Sequence, residues 1–212
     1  MTKKRMSATA LMLVILITNI CAFASSYTTY IVRDGEAVLT ESGNMGEYVE
    51  IPEEFEGVKI SGIGTDAFKD NKDLKEIKLP ETISFIEWGA FEGCVNLEGI
   101  EIPDTVTMIE DMTFYNCTSL KAVNLPENLQ VIGVKAFSNT DLREIVIPAN
   151  VKAIDIKAFE NCKNLTYVHI PDSVEYIADG AFEECDKVTV ICTKDSYTER
   201  YMIENNIPYI AE

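Results

Sequence analysis

Residues Leu74–Asn96 read LKEIKLPETISFIEWGAFEGCVN, and this unit returns, with substitutions, about six times down the chain. Phe68, Phe91, Phe114, Phe137, Phe159 and Phe182 stand 23, 23, 23, 22 and 23 residues apart, and Pro80, Pro103, Pro126, Pro148 and Pro171 keep the same step. A period in the twenties with Leu, Ile and Pro in phase marks a leucine-rich solenoid. One unit is too small to bury its own apolar face, so neighbouring units must stack.

Superposing the units assigns a role to each column. Leu74, Leu97, Leu120, Leu142, Leu165 and Val188 open a strand. It runs through Ile77, Ile100, Val123, Ile145, Val168 and Ile191, then Leu79, Ile102, Leu125, Ile147 and Ile170. Alternation with variable residues predicts one buried and one outward face, and stacking predicts a parallel sheet with one strand per coil of about 23 residues. Pro ends each strand because it cannot donate to the ladder. Apolar columns resume at Ile83, Val106, Leu129, Val151 and Val174 and at Ile86, Ile109, Ile132, Ile154 and Ile177, a second extended wall. Ala-Phe then turns inward (Met112-Thr113-Phe114 is the variant), which predicts a central stack of rings.

Outside the repeats the chain divides into residues 1–24, a leader; 25–60, an N-terminal cap and irregular first coil; 61–192, the repeats; and 193–212, a C-terminal cap. Lys3, Lys4 and Arg5, the apolar run Ala10 to Ile17 and Ala22-Phe23-Ala24 have the layout of a secretory signal with cleavage before Ser25. The run falls short of the roughly 20 apolar residues of a membrane span. Ile20, bulky before Cys21, argues against a lipid anchor there. In the first cap, Tyr27 to Arg33 and Ala37 to Thr40 flank Asp34-Gly35, a tight-turn dipeptide. A Pro-to-Pro step of 28 residues (Pro52 to Pro80) implies an insertion near Glu54–Lys59. In the last cap, Ser196 and Glu199 open a helix to Asn205, and Ile207 to Ile210 closes as a strand.

Charge narrows the partners. Without residues 1–24 the chain keeps 15 Lys and Arg against 35 Asp and Glu, so it repels nucleic acid and anionic lipid surfaces. Its five cysteines after the leader, Cys94, Cys117, Cys162, Cys185 and Cys192, are odd in number, and four share a column with Asn71 and Thr140. Replacement by small polar residues points to compact buried thiols rather than bridges.

The repeat unit resembles the BspA-like leucine-rich repeat family. DSYTERYMIENNIPY resembles the cap that closes such proteins, and DGEAVLTESGNMGEYVEIP their N-terminal hairpin. The resemblance implies an exported, surface-associated bacterial protein, some of whose relatives act in adhesion, and it carries no catalytic residue. The chain's own residues add none. His169 is the only histidine and points outward between Val168 and Ile170; nucleophile elbows, phosphate loops and zinc spacings are absent, and no cofactor is expected.

The expectation is therefore a non-enzymatic, secreted or surface scaffold that binds a protein through its sheet face. The outward columns are Glu76, Gly99, Ala122, Glu144, Tyr167 and Lys78, Glu101, Asn124, Val146, His169. Val146, Tyr167 and His169 form an apolar and aromatic patch. Trp88 and Tyr176 fall on the other wall. After the prolines, Glu81, Asp104 and Glu127 stack as three carboxylates, a candidate for weak Ca²⁺ or a basic partner segment, against the simpler reading of solvated turn acids. A carbohydrate-binding or envelope-associated structural protein is the alternative class; it calls for aromatic rings over a groove, and few are available.

Overall fold

The computed structural model describes residues 14–18, 27–43 and 45–212. The expected basic start, Cys21 and the cleavage site before Ser25 lie outside the described residues. Within the expected leader, β1 (Val14–Thr18) pairs antiparallel with β2 (Tyr27–Arg33). β2 turns back into β3 (Glu36–Ser42) through Asp34 and Gly35, both at positive φ as a tight hairpin requires.

β4 (Tyr48–Glu50) begins the sheet face. The insertion at Glu54–Lys59 is a second hairpin, β5 (Glu54–Phe55) against β6 (Val58–Ile63), with Glu56 and Gly57 at its tip. β3 pairs parallel with β6, so the N-terminal hairpin covers the end of the second wall. There Tyr30 stacks on Phe55 with ring centroids 5.0 Å apart.

Each later coil adds one strand to the face and one to the second wall: β7 (Glu76–Lys78) with β8 (Phe85–Ile86), β9 (Gly99–Glu101) with β10 (Met108–Ile109), and β11 (Ala122–Asn124) with β12 (Val131–Ile132). β13 (Glu144–Val146) with β14 (Ala153–Ile154) and β15 (Tyr167–Ile170) with β16 (Tyr176–Ile177) follow, then β17 (Thr189–Cys192). Between the walls the proline carbonyl closes a turn, accepting the N–H three residues on, as in Ile83 to Pro80 at 3.0 Å.

A third wall is made by the Ala-Phe segments, whose amides bond from coil to coil, Phe68 N–H to Ala90 O at 2.8 Å and Phe91 N–H to Thr113 O at 2.9 Å. Two left-handed positions bracket each of these segments. Before the Phe stand Asp66, Gly89, Met112, Lys135, Lys157 and Gly180; after it stand Asp70, Gly93, Asn116, Asn139, Asn161 and Glu184. Asn and Asp tolerate this region better than other side chains. The asparagines also form a ladder, Asn139 Nδ2 donating to Asn116 Oδ1 at 2.8 Å and Asn161 donating to Asn139.

Inside, the six rings from Phe68 to Phe182 stack near-parallel with centroids 5.1, 5.4, 5.3, 5.5 and 5.4 Å apart. All are buried; truncating such a side chain costs about 3–5 kcal/mol. The five cysteines among the described residues are free and buried. At the C-terminal end α1 (Tyr197–Glu204) is capped by Ser196, whose Oγ accepts the Glu199 N–H at 3.1 Å. Tyr201 ties it to the last coil by donating to Ala178 O at 2.8 Å, and β18 (Tyr209–Ala211) pairs parallel with β17.

Two features depart from the expected regularity. The face is two four-stranded sheets, β4-β7-β9-β11 and β13-β15-β17-β18, rather than one. The division falls where the repeat loses a residue between Phe137 and Leu142, and it leaves Val123 and Leu125 only partly buried in otherwise buried columns. The second is a register correction. Val190, not Ile191, continues the buried column: Val168 aligns with Val190 and His169 with Ile191. One residue is missing between Val188 and the strand, and a one-residue slip turns every side chain to the opposite face.

Candidate functional site

The face of the solenoid presents two surfaces of different chemistry. All ten residues of the expected outward columns lie on these strands, Gly99 and Ala122 among them. Glu76, Lys78, Glu101 and Asn124 lie on the N-terminal sheet; Glu144, Val146, Tyr167 and His169 lie on the C-terminal one.

The C-terminal surface is apolar. Register aligns Val146, His169, Ile191 and Ile210 in one outward column, with Tyr167 beside it. Val146 is 61% exposed, Tyr167 46% and Ile210 46%. His169 Nε2 sits 3.4 Å from Glu144 Oε1. A depression of about 240 Å³ touches Val146, His169, Ile191 and Glu212. Sequence reading put Ile191 in the buried column, and Ile210 lies beyond the last repeat. Aligning VTVIC (188–192) to LTYVHI (165–170) with one gap would have exposed the first.

The N-terminal surface is an anionic groove of about 940 Å³. Its floor is bare: Gly99 pairs with Ala122 in one column, between Glu76 and the divided edge of the sheet. Glu76, Glu81, Glu98, Glu101, Asp104 and Glu127 line it. Its two lysines are already neutralised, Lys75 by Glu47 at 2.8 Å and Lys78 by Glu50 at 2.7 Å. The Glu50 hydrogen bond holds the Lys78 ammonium above its ordinary pKa. Glu98 faces Lys121 at 3.5 Å, whereas Glu76, Glu81, Glu101 and Glu127 have no ion-pair partner among the described residues. Tyr48, 69% exposed, stands at the rim in register with Glu76; the irregular first coil hid it from the repeat alignment.

The carboxylate column after the prolines thus belongs to this groove. Asp104 Oδ1 accepts the Glu127 N–H at 2.8 Å, so part of the column serves the turns. Among the described residues no three or more His, Cys, Asp or Glu side chains gather as a group able to hold a metal ion. On the second wall Trp88 is partly exposed beneath Lys69, whose Nζ lies 5.2 Å from the ring centroid, and Tyr176 is exposed. Among the described residues no helix is long and apolar enough to cross a membrane.

A stack of short coils, each with Leu, Phe and Pro in fixed places, is a leucine-rich repeat protein. The model of the BspA type leucine rich repeat region matches residues 47–166 and 130–204 in six copies, and the chain belongs to that family. A leucine-rich repeat protein from Bacteroides ovatus is 36% identical over 80% of this chain, with a TM-score of 0.72; the chain spans 46% of that protein. The T. pallidum leucine rich repeat protein is 27% identical over 87% of this chain and 95% of its own, with a TM-score of 0.76. The pneumococcal vaccine antigen PcpA shares the fold at 19% identity over 86% of this chain and 46% of its own, with a TM-score of 0.66. No curated protein matches the chain.

Proposed function

We propose that this chain is an exported protein-binding scaffold that recognises a protein at the cell surface, in adhesion or a related contact, through the C-terminal half of its sheet face. The observation that carries the reading is the outward column Val146, His169, Ile191 and Ile210 with Tyr167 at its side. Exposed apolar side chains on a rigid parallel sheet are free to desolvate against a partner without reorganising the scaffold. Family membership and the leader-like N-terminus support an exported repeat protein. Cross-linking on intact cells followed by mass spectrometry identifies the partner. Joint Val146→Ser and Tyr167→Ser substitution is expected to abolish its capture with the melting temperature retained. Undiminished capture would reject this face.

A further inference from the structure

The anionic groove on the N-terminal sheet is not accounted for by the apolar patch. Three observations bear on what fills it. Its negative charge is uncompensated: five of its six carboxylates, all but Glu98, have no ion-pair partner among the described residues, while both of its lysines are neutralised from outside the groove. Its floor is kept low by Gly99 and Ala122, flanked by exposed Glu76 and Glu101. Nothing in the fold demands glycine at position 99. It is not among the residues at positive φ, and a Cβ there would have Ala122 O, at 3.5 Å, as its nearest neighbour. Leu125, partly uncovered where the sheet divides, adds an apolar edge to the trough.

We propose that this groove binds an extended lysine- or arginine-rich polypeptide segment, laid across β4, β7, β9 and β11 over Gly99 and Ala122. The proposal rests on the reading of the face as a protein-binding surface and names the partner chemistry of its N-terminal half. Four strands span about 14 Å, the length of four or five extended residues. Backbone passes over the bare floor, and ammonium or guanidinium groups reach the carboxylates as charge-assisted hydrogen bonds. The long-range field of the acidic chain would steer such a segment, so binding weakens as salt rises.

The test is fluorescence anisotropy with a labelled Gly-Lys-Gly-Lys-Gly-Lys peptide and its Glu counterpart. The Lys peptide is expected to bind and to weaken with added salt, the Glu peptide to fail. Glu76→Gln with Glu101→Gln, and separately Gly99→Leu, should each weaken binding about tenfold with melting preserved, whereas V146S with Y167S should leave it unchanged. Equal affinity for both peptides, or full binding by the Glu76/Glu101 variant, overturns the proposal. If V146S with Y167S loses the cellular partner while the unsubstituted protein ignores the Lys peptide, the groove proposal falls and the apolar-face reading stands.

Discussion

The thiol of Cys94 donates a 3.0 Å hydrogen bond to the carbonyl oxygen of Phe68 in the preceding coil. Cys117 does the same to Phe91 at 3.1 Å, Cys162 to Phe137 at 3.1 Å and Cys185 to Phe159 at 2.9 Å. The column therefore does more than fill space: it supplies a small donor that ties one coil to the last. Where the residue is not Cys, it bonds to its own coil, although Thr140 Oγ1 also lies 3.3 Å from Cys162 Sγ of the next. Thr140 Oγ1 donates to Phe137 O at 2.9 Å, and Asn71 Oδ1 accepts the Leu74 N–H at 3.1 Å. Burial pushes the Cys94 thiol up to about 12 and also holds Cys117 well above its ordinary value, so neither forms a reactive thiolate near neutrality.

A chromogenic thiol reagent at neutral pH is accordingly expected to leave Cys94 and Cys117 unmodified in the folded protein and to titrate them on denaturation. Cys94→Ala removes a buried donor and should cost about 1–2 kcal/mol in urea unfolding, with Cys94→Ser losing less. Rapid native labelling would contradict the buried thiol column.

The register at the C-terminal end gives a paired prediction. Val190→Ser places a hydroxyl in the core and should destabilise by about 2–3 kcal/mol, while Ile191→Ser, on the outward face, should cost under about 1 kcal/mol. Thermal melts of the two variants read the order directly, and a reversed order would restore the 23-residue alignment.

Met112 occupies the left-handed position at φ 57° that Gly89 and Gly180 fill in other coils. A side chain there costs about 1–2 kcal/mol, part of which glycine returns through its freer unfolded chain. Met112→Gly is expected to raise stability by about 0.5–1 kcal/mol in chemical denaturation.

Two partly buried acids, Glu110 and Glu160, titrate in opposite senses. Glu110 lies above its ordinary value of 4.5, first through burial and then through the neighbouring Asp111 and Glu87 charges. A carboxyl whose folded pKa is raised destabilises the fold once ionised, and that cost vanishes as pH falls below 4.5. Glu110→Gln should therefore raise the melting temperature at pH 7 by about 1–2 °C, solvent screening keeping the gain below about 1 kcal/mol, with no gain near pH 3. Glu160 has the other sign. The Lys157 hydrogen bond, outweighing burial, holds it below 4.5, so its stabilisation is present above 4.5 and is lost as pH falls through the depressed value. Glu160→Gln should lower the midpoint at pH 7 and converge with the parent in acid.

The repeat made most of the architecture legible. Phe, Leu and Pro columns announced the ring stack, the strands and the turns, because a residue buried in every coil must recur at every coil. Ser196 with Glu199 announced the closing helix, although the Glu199 carboxylate takes the Asp195 N–H at 2.6 Å rather than that of Ser196. The left-handed positions around each Ala-Phe were harder to see, since Asp, Gly, Met, Lys, Asn and Glu all fill them and their shared property is a dihedral angle. The candidate site was legible only in part. Val146, Tyr167 and His169 fell in outward repeat columns, Ile191 fell in the wrong one, and Tyr48 and Ile210 come from the irregular ends.

By itself the sequence determined that this chain is a stack of six similar coils with an aromatic axis, and the physical reason is periodicity: identical spacing forces identical burial. Tertiary structure alone decided where that spacing fails. A single missing residue before Leu142 divides the sheet, and another after Val188 turns Ile191 outward. Alternation along a strand carries no memory of the coil count, so only the pairing of strand with strand fixes which side chains reach the surface and which lie beneath it.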